Sequence, residues 1–166
     1  MNPPPYNILF LCTGNSARSI LGEVALNTLA GDEGRFRGYS AGSFPKGAVN
    51  PVALQFLAHQ RLPANGLRSK SWDEFSTPAA PRMDLIITVC DQAAGEQCPY
   101  WPGAPVTLHW GMPDPASVEG SDDEKLQAFA ETYRVLHRRL VALTGLVLEA
   151  GELAPLKQRL QALATT

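Results

Sequence analysis

Cys12 closes the apolar run Asn7–Leu11 and is followed by Thr13, Gly14, Asn15, Ser16, Ala17, Arg18 and Ser19. A buried strand needs no such ending, but an anion-binding nucleophile does. Gly14 and Asn15 are residue types that tolerate positive φ, so the loop can turn successive N–H groups inward. Such a nest at the start of a helix suits a tetrahedral oxyanion. Arg18 can grip two oxygens of that anion through its planar fork. The same positive field is expected to lower the pKa of Cys12 toward the reactive thiolate, which Ser19 can hydrogen-bond. The chemistry on offer is attack by sulfur on an oxyanion held by the loop Thr13–Ser19.

Two more thiols, Cys90 and Cys98, fall in the stretch VCDQAAGEQCPYWPG, and Asp114-Pro115 falls in HWGMPDPAS. Taken alone, Cys90 also reads as a strand-end core residue, Cys98 as a surface thiol and Asp114-Pro115 as an ordinary turn. A zinc site from Cys90, Cys98 and His109 lacks both a C-x2-C spacing and a fourth ligand. His59, His109 and His137 read as packing or surface residues. Trp101 and Trp110 flank the cysteine and acid loops as packing groups or lids.

The elements that must position these groups alternate. Residues 7–11 are continuously apolar, as in a central parallel strand covered on both faces. Helical spacing begins near Ser16 with Ile20, Leu21, Val24, Ala25, Thr28 and Leu29, and Gly31 can end it. Residues 35–40 read as a second strand. Asn50 caps a second helix with Pro51 at its first position. Residues 83–90 and 104–110 read as two more strands. A long helix starts at Asp122 or Asp123 with a stripe of Leu126, Phe129, Tyr133, Leu136, Leu140, Leu143 and Val147. Pro155 begins a short final helix. Alternation of this kind predicts an α/β fold, with a parallel sheet whose ligands bind beyond the carboxyl ends of its strands. Cys12 and Cys90 both stand at such ends, so both thiols fall on one edge.

The whole chain, residues 1–166, reads as a single domain, with residues 1–6 as a flexible tail and 150–166 as a C-terminal helical extension. Its 166 residues are 45% hydrophobic with a net charge of −2. That is enough for a core without staples and gives no basic field for nucleic acid. The longest apolar runs are strand-length, far below the ~20 residues of a membrane span, so no membrane partner is expected. No signal peptide is read at the start. Three cysteines, an odd count, favour a reducing cytoplasmic compartment over a secreted disulfide framework.

The loop CTGNSARS resembles the phosphate-binding loop of the low-molecular-weight protein tyrosine phosphatase superfamily, which includes a branch of arsenate reductases. The resemblance spans residues 7–148. It implies a three-layer α/β sandwich: a four-stranded parallel sheet with helices on both faces. It assigns the general acid to Asp114, which would protonate the departing oxygen. Phosphatases of this type place aromatics after the Asp-Pro pair and a second cysteine before the loop arginine. Here Ala116-Ser117 and Ala17 stand at those places. The segments C…CP and HWG…DPA resemble arsenate reductases of the thioredoxin-coupled type instead.

What that resemblance implies is an arsenate reductase with three thiols. Cys12 is the nucleophile, Cys90 attacks the Cys12–arsenic adduct, and Cys98 resolves the Cys12–Cys90 disulfide to Cys90–Cys98. The partners are arsenate and either thioredoxin or glutaredoxin with glutathione as reductant. No tightly bound cofactor is expected. Some relatives hold a potassium ion at positions matched by Asn15, Glu23 and Ser40, although Lys70 can supply that charge here. The alternatives are a phosphatase working through a Cys12 phosphoenzyme and a non-catalytic oxyanion-binding module.

Overall fold

The apolar run forms strand β1, Tyr6–Cys12, near the centre of a parallel sheet. A computed structural model describes residues 3–31, 34–90 and 105–166. Strand β2 is Phe36–Gly42, β3 is Leu85–Thr88 and β4 is Val106–His109. Their order is β2-β1-β3-β4, every pair parallel. Helix α1 is Arg18–Ala30, α2 Pro51–His59, α3 Asp122–Ala150 and α4 Lys157–Ala162. Residues 91–104, which include Cys98 and Trp101, lie outside the described residues.

Side chains alternate across β1. Ile8, Phe10 and Cys12 enter one core with α1, α2 and α3, while Leu9 and Leu11 enter another under the 3-10 turn Trp72–Phe75. Ile8, Leu9, Phe10 and Leu11 are fully buried, which stabilises the fold by about 1.5–3 kcal/mol per side chain. This two-sided burial is why β1 reads as a continuous apolar run. The expected stripe of α3 sits in the first core through Phe129, Leu136, Leu140, Leu143 and Val147.

Local signals set the helix ends. Asn50 Oδ1 accepts from Val52 N at 2.8 Å, with Pro51 next in sequence. Ser121 and Glu124 close a reciprocal capping box on α3. Tyr6, expected in the tail, instead opens β1. Its N–H pairs with Arg35 O at 2.7 Å and its hydroxyl donates to Gly151 O at 2.9 Å. Strands β3 and β4 are shorter than the apolar runs that predict them, although ladder bonds continue past their ends: Val89 N donates to Leu11 O and Trp110 N to Thr88 O, each at 2.8 Å. The segment after α3 contains the 3-10 turns Ala154–Leu156 and Leu163–Thr165 around α4, with Leu153, Leu156 and Leu160 buried.

Candidate active site

Register brings the chemistry to one edge. Cys12 and Gly42 are paired at the ends of β1 and β2, and Thr88 of β3 pairs with Leu11. The loop Thr13–Ala17 then rises over this edge and runs into α1. Its carbonyls are drawn outward. Thr13 O accepts from Phe44 N, Gly14 O from Lys46 N and Ser16 O from Asn50 N, each at 2.9 Å. Ser69 Oγ adds a second bond to Gly14 O at 3.0 Å. In a trans peptide the N–H opposes the C=O, so these bonds turn the following N–H groups inward.

Asn15 supplies the left-handed corner of the loop, at φ 45°. It is fully buried and doubly held: Nδ2 donates to Ser19 Oγ at 2.8 Å, and Oδ1 accepts from Lys70 N at 2.9 Å. Gly14, expected to share the positive φ, does not adopt it. The atoms nearest an added Cβ there belong to the exposed Lys46 side chain, with Cε at 3.1 Å. Gly42 is more demanding: a Cβ there would lie 2.4 Å from Thr13 O.

Helix α1 begins with no side-chain cap at Ala17, which leaves its first N–H groups for a ligand. Arg18 stands at that start. Its Nη1 donates to Met112 O at 2.9 Å, its Nη2 lies 3.8 Å from Asp114 Oδ2, and its buried Nε has no partner. An unpartnered guanidinium N–H beside uncapped helix amides fits an incoming oxyanion. Asp114 Oδ1 caps the 3-10 turn Pro115–Ser117 through Ala116 N at 2.9 Å, so that loop presents its carboxylate to the same cavity.

A cavity of about 510 Å³ gathers Cys12, Thr13, Gly14, Ser16, Ala17, Arg18, Cys90 and Asp114. Asn15 and Ser19 are buried and brace the loop through the bonds given above. Cys98 lies outside the described residues. Phe44 and Lys46 also line the cavity, and sequence reasoning missed them. They follow the carboxyl end of β2, so the strand-end rule could have found them. Phe44 is 74% exposed at this rim.

The Cys12 and Cys90 side chains are both buried. The Cys12 thiol is pushed well above its ordinary range, first by its hydrogen bond with Cys90, then by burial. Arg18 and the Gly14 N–H pull the other way, and Cys90 and burial outweigh them. The expected lowering of the Cys12 pKa is therefore corrected. The loop field exists, but a second thiol presses directly on the nucleophile. Thr13 Oγ1 also lies 3.6 Å from Cys90 Sγ.

Behind the loop, Ser40 Oγ donates to Glu23 Oε1 at 2.6 Å. The Lys70 ammonium sits 3.8 Å from Glu23 Oε1 and 3.5 Å from Ser40 Oγ, and it donates to Arg68 O at 3.0 Å. Burial lowers the Lys70 pKa, with Glu23 opposing that shift.

Residues 7–158 match the profile of the low molecular weight phosphotyrosine protein phosphatase family. This chain belongs to that family. It is 35% identical over 133 residues to an arsenate reductase of Halalkalibacterium halodurans, covering 80% of this chain and 91% of that one. A solved thioredoxin-dependent arsenate reductase of Corynebacterium glutamicum superposes with a TM-score of 0.58 at 24% identity, covering 86% of this chain and 65% of that one. A low molecular weight phosphotyrosine phosphatase of Vibrio cholerae superposes with a TM-score of 0.69 at 19% identity, covering 88% and 99%. These likenesses give the family one fold, a parallel sheet shared by reductases and phosphatases. No helix among the described residues is long and apolar enough to cross a membrane.

Proposed function

We propose that this protein is an arsenate reductase. The observation that carries the reading is that a second thiol, Cys90, lines the same oxyanion cavity as Cys12, where it also raises the Cys12 pKa. A phosphatase needs one thiol, whereas reduction of arsenate takes two electrons and so a second thiol. The relatives named arsenate reductase support the same choice.

Arsenate binds between the loop N–H groups and Arg18. The Cys12 thiolate attacks arsenic(V), and one arsenic oxygen leaves as water with a proton from Asp114. The Cys90 thiolate then attacks Cys12 Sγ. The S–S bond forms as the sulfur–arsenic bond breaks, and its electron pair reduces arsenic(V) to arsenite. Cys98 attacks Cys90 Sγ and expels the Cys12 thiolate, which leaves the Cys90–Cys98 disulfide. A thioredoxin-type dithiol, or glutaredoxin with glutathione, reduces that disulfide in a cytoplasmic setting. Cys98 enters this scheme from its place in the sequence alone.

Ser40 meets Glu23, while Asn15 is tied to Ser19 and to the Lys70 backbone N–H, and Lys70 already brings its ammonium to Glu23 and Ser40. This donor set suits a resident ammonium better than an added potassium ion. Lys70 supplies the positive charge behind the loop, and no step needs potassium.

Phe44 favours a second reading. An exposed ring at the rim of a cavity that shares the family's oxyanion loop could flank an aryl phosphate, as a phosphatase working through a Cys12 phosphoenzyme requires. The experiment is turnover with thioredoxin, its reductase and NADPH. Arsenate-dependent NADPH consumption supports the reductase. Steady aryl phosphate hydrolysis without reductant, unaffected by Cys90→Ser, would support the phosphatase.

A further inference from the structure

Beyond α3, the chain returns to the exposed edge of the sheet. Strand β4 is the outermost strand, and an edge strand has backbone groups with no neighbouring strand to pair them. Gln161 of α4 meets this need at one residue. Its Oε1 accepts from His109 N at 2.8 Å, and its Nε2 donates to His109 O at 2.6 Å. A single side-chain amide thus pairs with His109 as a further strand would. The next residue is held too: the fully buried Trp110 donates its indole N–H to Leu160 O at 3.1 Å. On its other side, Trp110 N donates to Thr88 O at 2.8 Å.

His109 and Trp110 are the last residues before the loop that carries Asp114. That loop has a second anchor farther on, where Arg18 donates to Met112 O. The C-terminal segment is itself tied down. Leu156 and Leu160 are buried, and Arg139 Nη2 donates to Ala164 O at 2.8 Å. The base of the acid loop is therefore clamped between β3 and the C-terminal segment.

We propose that Gln161 is a positioning residue for the general acid: it fixes the exit of β4 and so the placement of the Asp114 carboxylate over Cys12. The proposal rests on Asp114 being the acid. Reach decides catalysis here, because proton transfer needs the carboxyl group within hydrogen-bond distance of the departing oxygen. A shift of about 1 Å costs up to roughly 100-fold in rate.

The test mixes reduced full-length protein with arsenate and follows single-turnover thiol loss. Gln161→Leu keeps the bulk and removes both bonds, whereas Gln161→Glu keeps an acceptor for His109 N–H and loses the donor. The expected result is a roughly 10- to 100-fold slower first step for Gln161→Leu, with a smaller loss for Gln161→Glu. The acid-dependent limb of the pH profile weakens, and the Kd for inorganic phosphate is unchanged because the oxyanion loop is intact. In an Asp114→Asn background, Gln161→Leu adds no further loss. An unchanged rate in Gln161→Leu beside a slow Asp114→Asn would overturn the proposal alone. So would an equal further loss in the double variant, or a matching fall in phosphate affinity, since either marks a general structural role. A silent Asp114→Asn would overturn the acid assignment and this proposal with it.

Discussion

Cys12 and Cys90 stand at the carboxyl ends of adjacent parallel strands and line one cavity, and there the hydrogen bond from Cys90, followed by burial, pushes the Cys12 thiol up. This relationship has two consequences of opposite sign. The second thiol is in place to attack Cys12 Sγ, so that the sulfur–arsenic electron pair passes to arsenic, but it also restrains the first thiol from ionising. The loop N–H groups and Arg18 offset that restraint in part.

Removing Cys90 should therefore separate the two effects. The Cys12 pKa is raised above its ordinary 9.0, with Cys90 as the largest cause. Cys90→Ala lowers it, so more thiolate is present near neutral pH. The expected outcome is faster iodoacetamide alkylation of Cys12 together with loss of multiple-turnover arsenate reduction. Slower or unchanged alkylation would remove the thiol contact from the account, and sustained turnover with thioredoxin would remove Cys90 from the mechanism.

Cys12→Ser should abolish arsenate reduction and any aryl phosphate hydrolysis while the fold persists. Inorganic phosphate should still raise the melting temperature, because the loop amides and Arg18 remain. Retained turnover of either substrate would contradict the nucleophile assignment.

Asp114→Asn should slow the first covalent step by roughly 10²–10⁴, the usual worth of a general acid. Asparagine keeps an oxygen to cap Ala116 N, so the loop should hold its shape and circular dichroism should not change. Stopped-flow thiol loss on mixing with arsenate reads the rate. An unchanged rate would move the acid elsewhere.

Gly42→Ala is a structural test of how closely β2 supports the loop. The new Cβ would lie 2.4 Å from Thr13 O, so backbone must move. Overpacking of this kind costs about 1–3 kcal/mol, which at this chain length lowers Tm by several degrees, at ~2–4 °C per kcal/mol. Calorimetry should show that drop, with weaker phosphate stabilisation beside it. An unchanged Tm would mean that the loop yields freely.

The nucleophile loop was legible because its logic is local. Cys12, Asn15 and Arg18 sit within one turn of chain between a strand and a helix, and the strand-end rule placed Cys90 beside them. The cap at Asn50 follows from residue type and spacing in the same way. What stayed hidden depends on distant partners. Phe44, Lys46 and Ser69 draw the loop carbonyls outward, and Gln161 substitutes for a missing strand. No periodicity in the sequence announces any of these contacts. The Cys12 pKa was misjudged for the same reason, since its sign turns on a thiol brought in from the neighbouring strand. Gly14 has no positive φ, so the left-handed corner of the loop rests on Asn15.

The most direct measurement is a disulfide map after one turnover. The reduced protein, freed of reductant, is mixed with arsenate, alkylated and analysed by mass spectrometry beside an arsenate-free control. An arsenate-dependent bridge between Cys90 and Cys98, with Cys12 alkylated, is the predicted result. Three alkylated thiols in a folded, arsenate-treated protein would contradict the reductase mechanism.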